Sequence, residues 1–235
     1  MNRIRFTAAS TIALAIAFAG SAAPAHATHI GFYGTYGAGQ ASGDADGTWG
    51  GGDWSWDRDT EHTGFGFALE TPMGFGMSYR LGLGWERIES DGGGGRGDGE
   101  LEGVVIDNDF TFDLMASPMS RLWIGPEFRL GFFDGSLDNA PGGDRSFVAA
   151  GIGPVLGFDL ALGPSAALSW KAGYLYTWYY ADEDSWDDGN YHGDYYDDSE
   201  MDGGHAYLSM AVLFRVWGGP PAPPQPGTYQ PQGRW

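Results

Sequence analysis

Cysteine is absent from all 235 residues, lysine and arginine together number 12 against 31 acidic residues, and the chain has no apolar run long enough for a membrane helix after its N-terminus. Each absence excludes something. Without cysteine there are no disulfide staples, so the fold has to hold by burial and backbone pairing. A formal net charge of −19 with so few cations argues against nucleic acid and anionic membrane surfaces as direct partners, because phosphate binding needs clustered Lys and Arg; cations are the natural counterparts. If the chain enters a membrane, it does so as strands.

What the chain has in abundance is glycine, 41 residues, and aromatics, 15%. That profile suits glycine-rich strands and turns better than packed helices. Residues 1–27 read as a secretory signal peptide: Arg3 and Arg5 form a positive start, "TIALAIAFAG" is an apolar core too short to span a bilayer, and Ala25-His26-Ala27 is a small-x-small cleavage pattern. Beyond Trp217, "GGPPAPPQPGTYQPQGRW" is a proline-rich tail, residues 218–235, whose prolines cannot join a strand ladder.

Between these ends, residues 28–217 alternate. Eight segments show large apolar groups on one face: 29–39, 62–70, 75–86, 103–115, 121–133, 147–162, 167–180 and 205–217. The third, "FGMSYRLGLGWE", puts Phe75, Met77, Tyr79, Leu81, Leu83 and Trp85 on one side and Gly76, Ser78, Arg80, Gly82, Gly84 and Glu86 on the other. The solvent face of a β-sandwich would carry Thr, Lys, Ser and Glu rather than glycine. A narrow barrel turned apolar-side out explains the pattern, with Gly76, Gly82 and Gly84 making room for Arg80 and Glu86. Reversing the strand would put Arg80 into lipid at roughly 2–4 kcal/mol near the midplane.

The connections support the same reading. "TPMG", "SPMS" and "GPS" are tight turns, whereas 40–61, 89–102, 134–145 and 181–204 are long, polar and acidic. Short turns at one end and long loops at the other describe an antiparallel up-and-down transmembrane barrel of eight strands. Pro126 and Pro154 fall inside strands, and a bulge is expected at each.

In signal peptide, alternating strands and asymmetric loops, residues 28–217 resemble the small eight-stranded outer-membrane β-barrel proteins of the OmpA transmembrane-domain and OmpX type. The resemblance implies a location in the bacterial outer membrane and contact with its lipids and insertion machinery. The family's assembly signal is matched in part by Ser209, Ala211, Phe214 and Val216, with alanine for the usual glycine and valine for the terminal aromatic.

Three groups of candidate site residues follow. Arg80, Glu86, Asp109, Asp113, Glu127, Arg129 and Lys171 fall on the inward face, where buried charges have to pair, and form an expected lumen network. In the acidic stretch "ADEDSWDDGNYHGDYYDD", Asp182, Glu183, Asp184, Asp187 and Asp188 are candidate oxygen ligands for Ca²⁺ or Mg²⁺, such as those that bridge lipopolysaccharide, although the spacing of a calcium-loop motif is absent. Trp49, Trp54 and Trp56 form an aromatic surface cluster suited to sugars or headgroups. His62, His192 and His205 lie near the outer rim, but Ser209 is about 13 Å along the strand from His205, too far for a nucleophile and its base.

The sequence therefore predicts a non-enzymatic barrel with a closed polar lumen, without a required cofactor, whose acidic and aromatic loops serve a structural or adhesive role. A narrow ion channel, and a soluble secreted all-β carbohydrate-binding module, are the competing readings.

Overall fold

A computed structural model describes residues 28–46, 54–91, 99–136, 145–181 and 197–217. They form eight strands: β1 (Thr28–Asp46), β2 (Trp54–Gly74), β3 (Met77–Ser90), β4 (Gly99–Ala116), β5 (Ser120–Ser136), β6 (Arg145–Ala161), β7 (Ala166–Ala181) and β8 (Asp197–Trp217). Each strand pairs antiparallel with the next, and β1 pairs with β8, so the sheet closes into an up-and-down barrel. Closure leaves no edge, which is what a sheet needs to stand in lipid. The expected signal peptide, the tail, Trp49 and the acidic candidates Asp182, Glu183, Asp184, Asp187 and Asp188 lie outside the described residues.

The alternation sorts the side chains as the sequence predicts. Phe32, Phe65, Phe67, Phe112, Phe128, Leu156, Tyr174 and Met210 are exposed on the outside, while Arg80, Asp109, Glu127 and Arg129 are buried inside. Ile106, on the outward face, is nonetheless buried at 3% exposure. Near the short turns Met73, Phe75, Met115, Met119 and Leu162 are also exposed, so the apolar surface reaches the turn-side rim.

Four features differ from expectation. First, the strands run past the apolar segments into the regions read as loops, most of all in β1, β2 and β8. Trp54 and Trp56 therefore sit within β2, opposite Ala45 and Gly43, and not in a surface loop. At about 3.3 Å per residue the 21 residues of β2 are longer than a roughly 25 Å apolar belt requires even when tilted, so the barrel extends beyond the belt on its long-loop side.

Second, the lumen is not polar throughout. On that side Ile88, Leu101, Val105, Phe133, Phe147, Ala149, Tyr179 and Met201 pack into one buried apolar cluster.

Third, the first tight turn is shifted. Residues 71–74 complete β2, and the chain reverses at Phe75 and Gly76, with positive φ at Gly74 (93°), Phe75 (51°) and Gly76 (76°). Two glycines accept that backbone without penalty, whereas Phe75 adopts it against its own preference.

Fourth, neither internal proline makes a bulge. Pro126 stands opposite Pro154 in the β5–β6 register. The pairings of β4 with β5 and of β6 with β7 skip these positions and resume in the same register. Each missing donor thus interrupts the ladder on the far side of its own strand without displacing it. The register shifts among the described pairs fall instead near strand ends, at Thr28/His29, Asp44/Asp46, Pro72/Gly74 and Asp113/Met115.

The lumen side of β6 is narrow where Trp123 fills it. Trp123 is completely buried, and a Cβ placed on Gly157 would stand 2.0 Å from its ring. The Gly157→Ala barrel is expected to lose about 1–3 kcal/mol of stability, read as a lower urea midpoint in phospholipid vesicles.

Candidate functional site in the barrel lumen

The lumen charges are set by tilt as well as by alternation, because neighbours in a barrel lie across strands more than along them. Gly82 and Gly84 of β3 illustrate this. A Cβ on Gly82 would meet Asp107 at 3.2 Å and one on Gly84 would meet the Tyr33 hydroxyl at 2.3 Å. These glycines make room for Asp107 and Tyr33 rather than for Arg80 and Glu86, and Gly76 lies in the turn.

Two ionic groups result. In the first, Arg129 serves three carboxylates, with Nε 2.6 Å from Asp107, Nη1 2.7 Å from Glu86 and Nη2 3.4 Å from Glu127. Lys171 Nζ stands 3.1 Å from Asp109 and 3.2 Å from Glu127, and the Tyr207 hydroxyl also donates to Glu127. In the second, Arg80 is 2.7 Å from Glu70 and 3.4 Å from Asp159, and donates to the Ser169 hydroxyl at 2.9 Å. Arg121 pairs with Asp113 at 2.6 Å and Asp159 at 3.2 Å, and also with Glu70. The Trp123 ring lies under Arg80, whose Cζ is 4.8 Å from the ring centroid.

All seven sequence candidates, Arg80, Glu86, Asp109, Asp113, Glu127, Arg129 and Lys171, lie in the lumen. Sequence reasoning did not find Glu70, Arg121 and Asp159, which tie Arg80 and Asp113 together. Asp159 alternates onto the inward face with Gly151, Gly153 and Gly157, but nothing in the sequence gives its partners.

Packing leaves little open space. Between Tyr33, Arg80, Asp107, Arg129, Lys171 and Tyr207 there is a cavity of about 30 Å³, room for roughly two waters. No serine bonds to His62 or His205 among the described hydrogen bonds; His62 Nδ1 stands 2.8 Å from Glu86 and its Nε2 3.2 Å from the Thr60 hydroxyl.

Above the apolar belt, the outer wall of β2, β3 and β4 is acidic. Asp57, Asp59, Glu61, Glu89 and Glu102 are exposed there and Glu100 is partly so. Glu61 stands opposite Glu89, which stands opposite Glu100. Arg87 Nη2 donates to Glu100 at 2.7 Å, and its Nε forms an ion pair with Glu89 at 3.0 Å. A hydrogen bond to Glu100 holds the Glu102 carboxyl above the usual range. Carboxylates this close keep one of their number protonated or attract a cation.

No protein-family model matches the sequence, and no curated protein does. Solved structures match the fold. The outer-membrane protein OprG from Pseudomonas aeruginosa is 11% identical, with a TM-score of 0.52 over 83% of this chain and 99% of that one. AlkL, solved in lipid bilayers, is 14% identical with a TM-score of 0.47 over 83% of this chain and 92% of that one. Neisserial surface protein A is 17% identical with a TM-score of 0.39 over 79% and 97%. At these identities the likeness concerns architecture, and the OprG superposition carries it. The chain has the fold of an eight-stranded barrel of the outer-membrane type, with an apolar belt on its outer face.

Replacing Arg129 by Met leaves Glu86, Asp107 and part of Glu127 buried without their cation. The expected cost is about 3–5 kcal/mol in urea unfolding from vesicles. Arg87→Met, on the wet outer wall, is expected to leave the unfolding midpoint almost unchanged in the same measurement.

Proposed function

We propose that the protein is a non-enzymatic barrel with a closed lumen that works through its outer wall, holding divalent cations against the polar surface of the outer leaflet. The observation behind this reading is the in-register row Glu61, Glu89 and Glu100, placed directly above the apolar belt. Like charges directly opposite one another destabilise a sheet. Arg87 offsets part of this charge at Glu89 and Glu100, and Ca²⁺ or Mg²⁺ between the row and the phosphates of lipopolysaccharide would offset the rest. The acidic stretch that contains Asp182, Glu183, Asp184, Asp187 and Asp188 would extend the same cation-rich layer, with a structural or adhesive role for the surface it forms.

A closed lumen is supported by the ionic groups, by Trp123 and by the apolar cluster around Ile88, Leu101, Phe133 and Tyr179. The competing narrow channel needs a continuous water path, whereas the two lumen cavities described, about 30 and 10 Å³, hold roughly two waters and one.

In vesicles containing lipopolysaccharide, Ca²⁺ is expected to raise the unfolding midpoint and EDTA to lower it. The triple variant Glu61→Gln, Glu89→Gln, Glu100→Gln should lose most of that response. An unchanged midpoint on chelation sinks the cation reading. Planar bilayers should show no stepwise conductance; steps altered by Arg80→Met or Arg129→Met would favour the channel.

A further inference from the structure

Two imidazoles meet inside this barrel although their strands are not neighbours. His62 belongs to β2 and His205 to β8, with β1 between them, so the outer two strands are about 10 Å apart. Their rings nevertheless stack, with centroids 3.9 Å apart and planes 15° from parallel. The intervening strand makes this possible, since Gly37 pairs with His62 and Gly39 pairs with His205. A Cβ on Gly39 would lie 2.5 Å from the His205 Cβ, and one on Gly37 would lie 3.4 Å from the His205 Cδ2. Glu86 of β3 completes the group, with Oε1 2.8 Å from His62 Nδ1.

We propose that His62, Glu86 and His205 form a binding site for a divalent transition ion, with zinc as the reference ion. One ligand atom from each residue lies within 4.8 Å of the others, and all three residues are buried. Two imidazoles and one carboxylate make a borderline nitrogen and oxygen donor set, which suits zinc and its neighbours rather than calcium or magnesium. This site is separate in ligand type and in position from the acidic outer wall.

Two independent observations point to a cation here. The His205 Nε2 atom is buried, at a residue 3% exposed, and has no hydrogen-bond partner. A cavity of about 10 Å³ lined by Thr60, His62, Tyr179 and His205 lies beside it, the size of one water and so of a fourth ligand.

Zinc–ligand distances near 2.0–2.2 Å require the stacked rings to turn about χ2, a broad torsion, so that their lone pairs converge. The Glu86 contact to His62 then becomes a contact to the ion. The other Glu86 oxygen stays with Arg129 Nη1, 2.7 Å away, which orients the carboxylate from behind. An ion so held joins β2, β3 and β8 across β1, where the charged part of the lumen gives way to its apolar part.

The test uses the untagged full chain, folded in detergent, loaded with zinc and dialysed against zinc-free buffer. Elemental analysis is expected to find one zinc per chain, and zinc X-ray absorption to find two imidazoles in the first shell. His205→Asn and Glu86→Gln should each weaken zinc roughly 10- to 100-fold or more, with heat-modifiable gel mobility retained as the sign of folding. His29→Asn, a buried histidine elsewhere in the lumen, should leave zinc unchanged. No retained zinc, an oxygen-only shell, or affinity untouched by the folded His205→Asn barrel each overturn the proposal; the X-ray readout decides even if both variants fail to fold.

Discussion

Backbone pairing is the constraint on which the rest depends. Within a bilayer no water is present to satisfy an N–H or C=O group, so the strands have to pair all the way round. Closure between β1 and β8 meets that demand and fixes the circumference at eight strands. A ring of this size has an interior just wide enough for side chains. Glycine is then required wherever a large group such as Tyr33 or Trp123 crosses the lumen, as at Gly84 and Gly157. These lumen glycines are thus a consequence of closure.

The barrel changes its sense of polarity along its length. In the lipid belt the apolar groups face out and the charges face in. Beyond the belt Glu61, Arg87, Glu89 and Glu102 face out, while Ile88, Leu101, Phe133 and Tyr179 face in, as in a water-soluble domain. This change explains which strands were legible in the sequence. The apolar stripe of β3, from Met77 to Trp85, has one sense throughout and reads plainly. Stretches such as "DRDTE" in β2 carry their outward charges on the same face as Phe65 and Phe67, so they look like loop although the strand continues. For the same reason the strands continue into 40–61 and 181–204, which read as loop.

The lumen was legible by residue but not by partner. Parity alone puts Arg80, Arg129 and Lys171 inside. It does not say that Arg80 meets Asp159 of β6, 79 residues away, or that Arg121 reaches Glu70. Those pairings depend on strand tilt, which no single strand records. The meeting of His62 and His205 is harder still, because the enabling signal is the absence of side chains at Gly37 and Gly39 on a third strand. Pro126 and Pro154 make the opposite case. Each reads as a defect alone, yet placed opposite one another they leave the register of β5 and β6 intact.

Buried ion pairs are a poor source of stability, since desolvation offsets much of their attraction, and an apolar filling of similar volume often serves as well. Their value in this barrel lies in excluding other registers. Moving any strand by one residue exchanges its two faces, which would carry Arg80 or Arg129 into lipid and Phe128 or Leu81 into the ionic groups. Arg129 holds residues of β3, β4 and β5 together, and Arg121 those of β2, β4, β5 and β6, so a slip in one strand strips partners from several others. Apolar filling would tolerate such a slip far better. The charged lumen and the apolar belt therefore act as one device: the belt selects which face of a strand meets lipid, and the network selects which neighbours it meets while doing so.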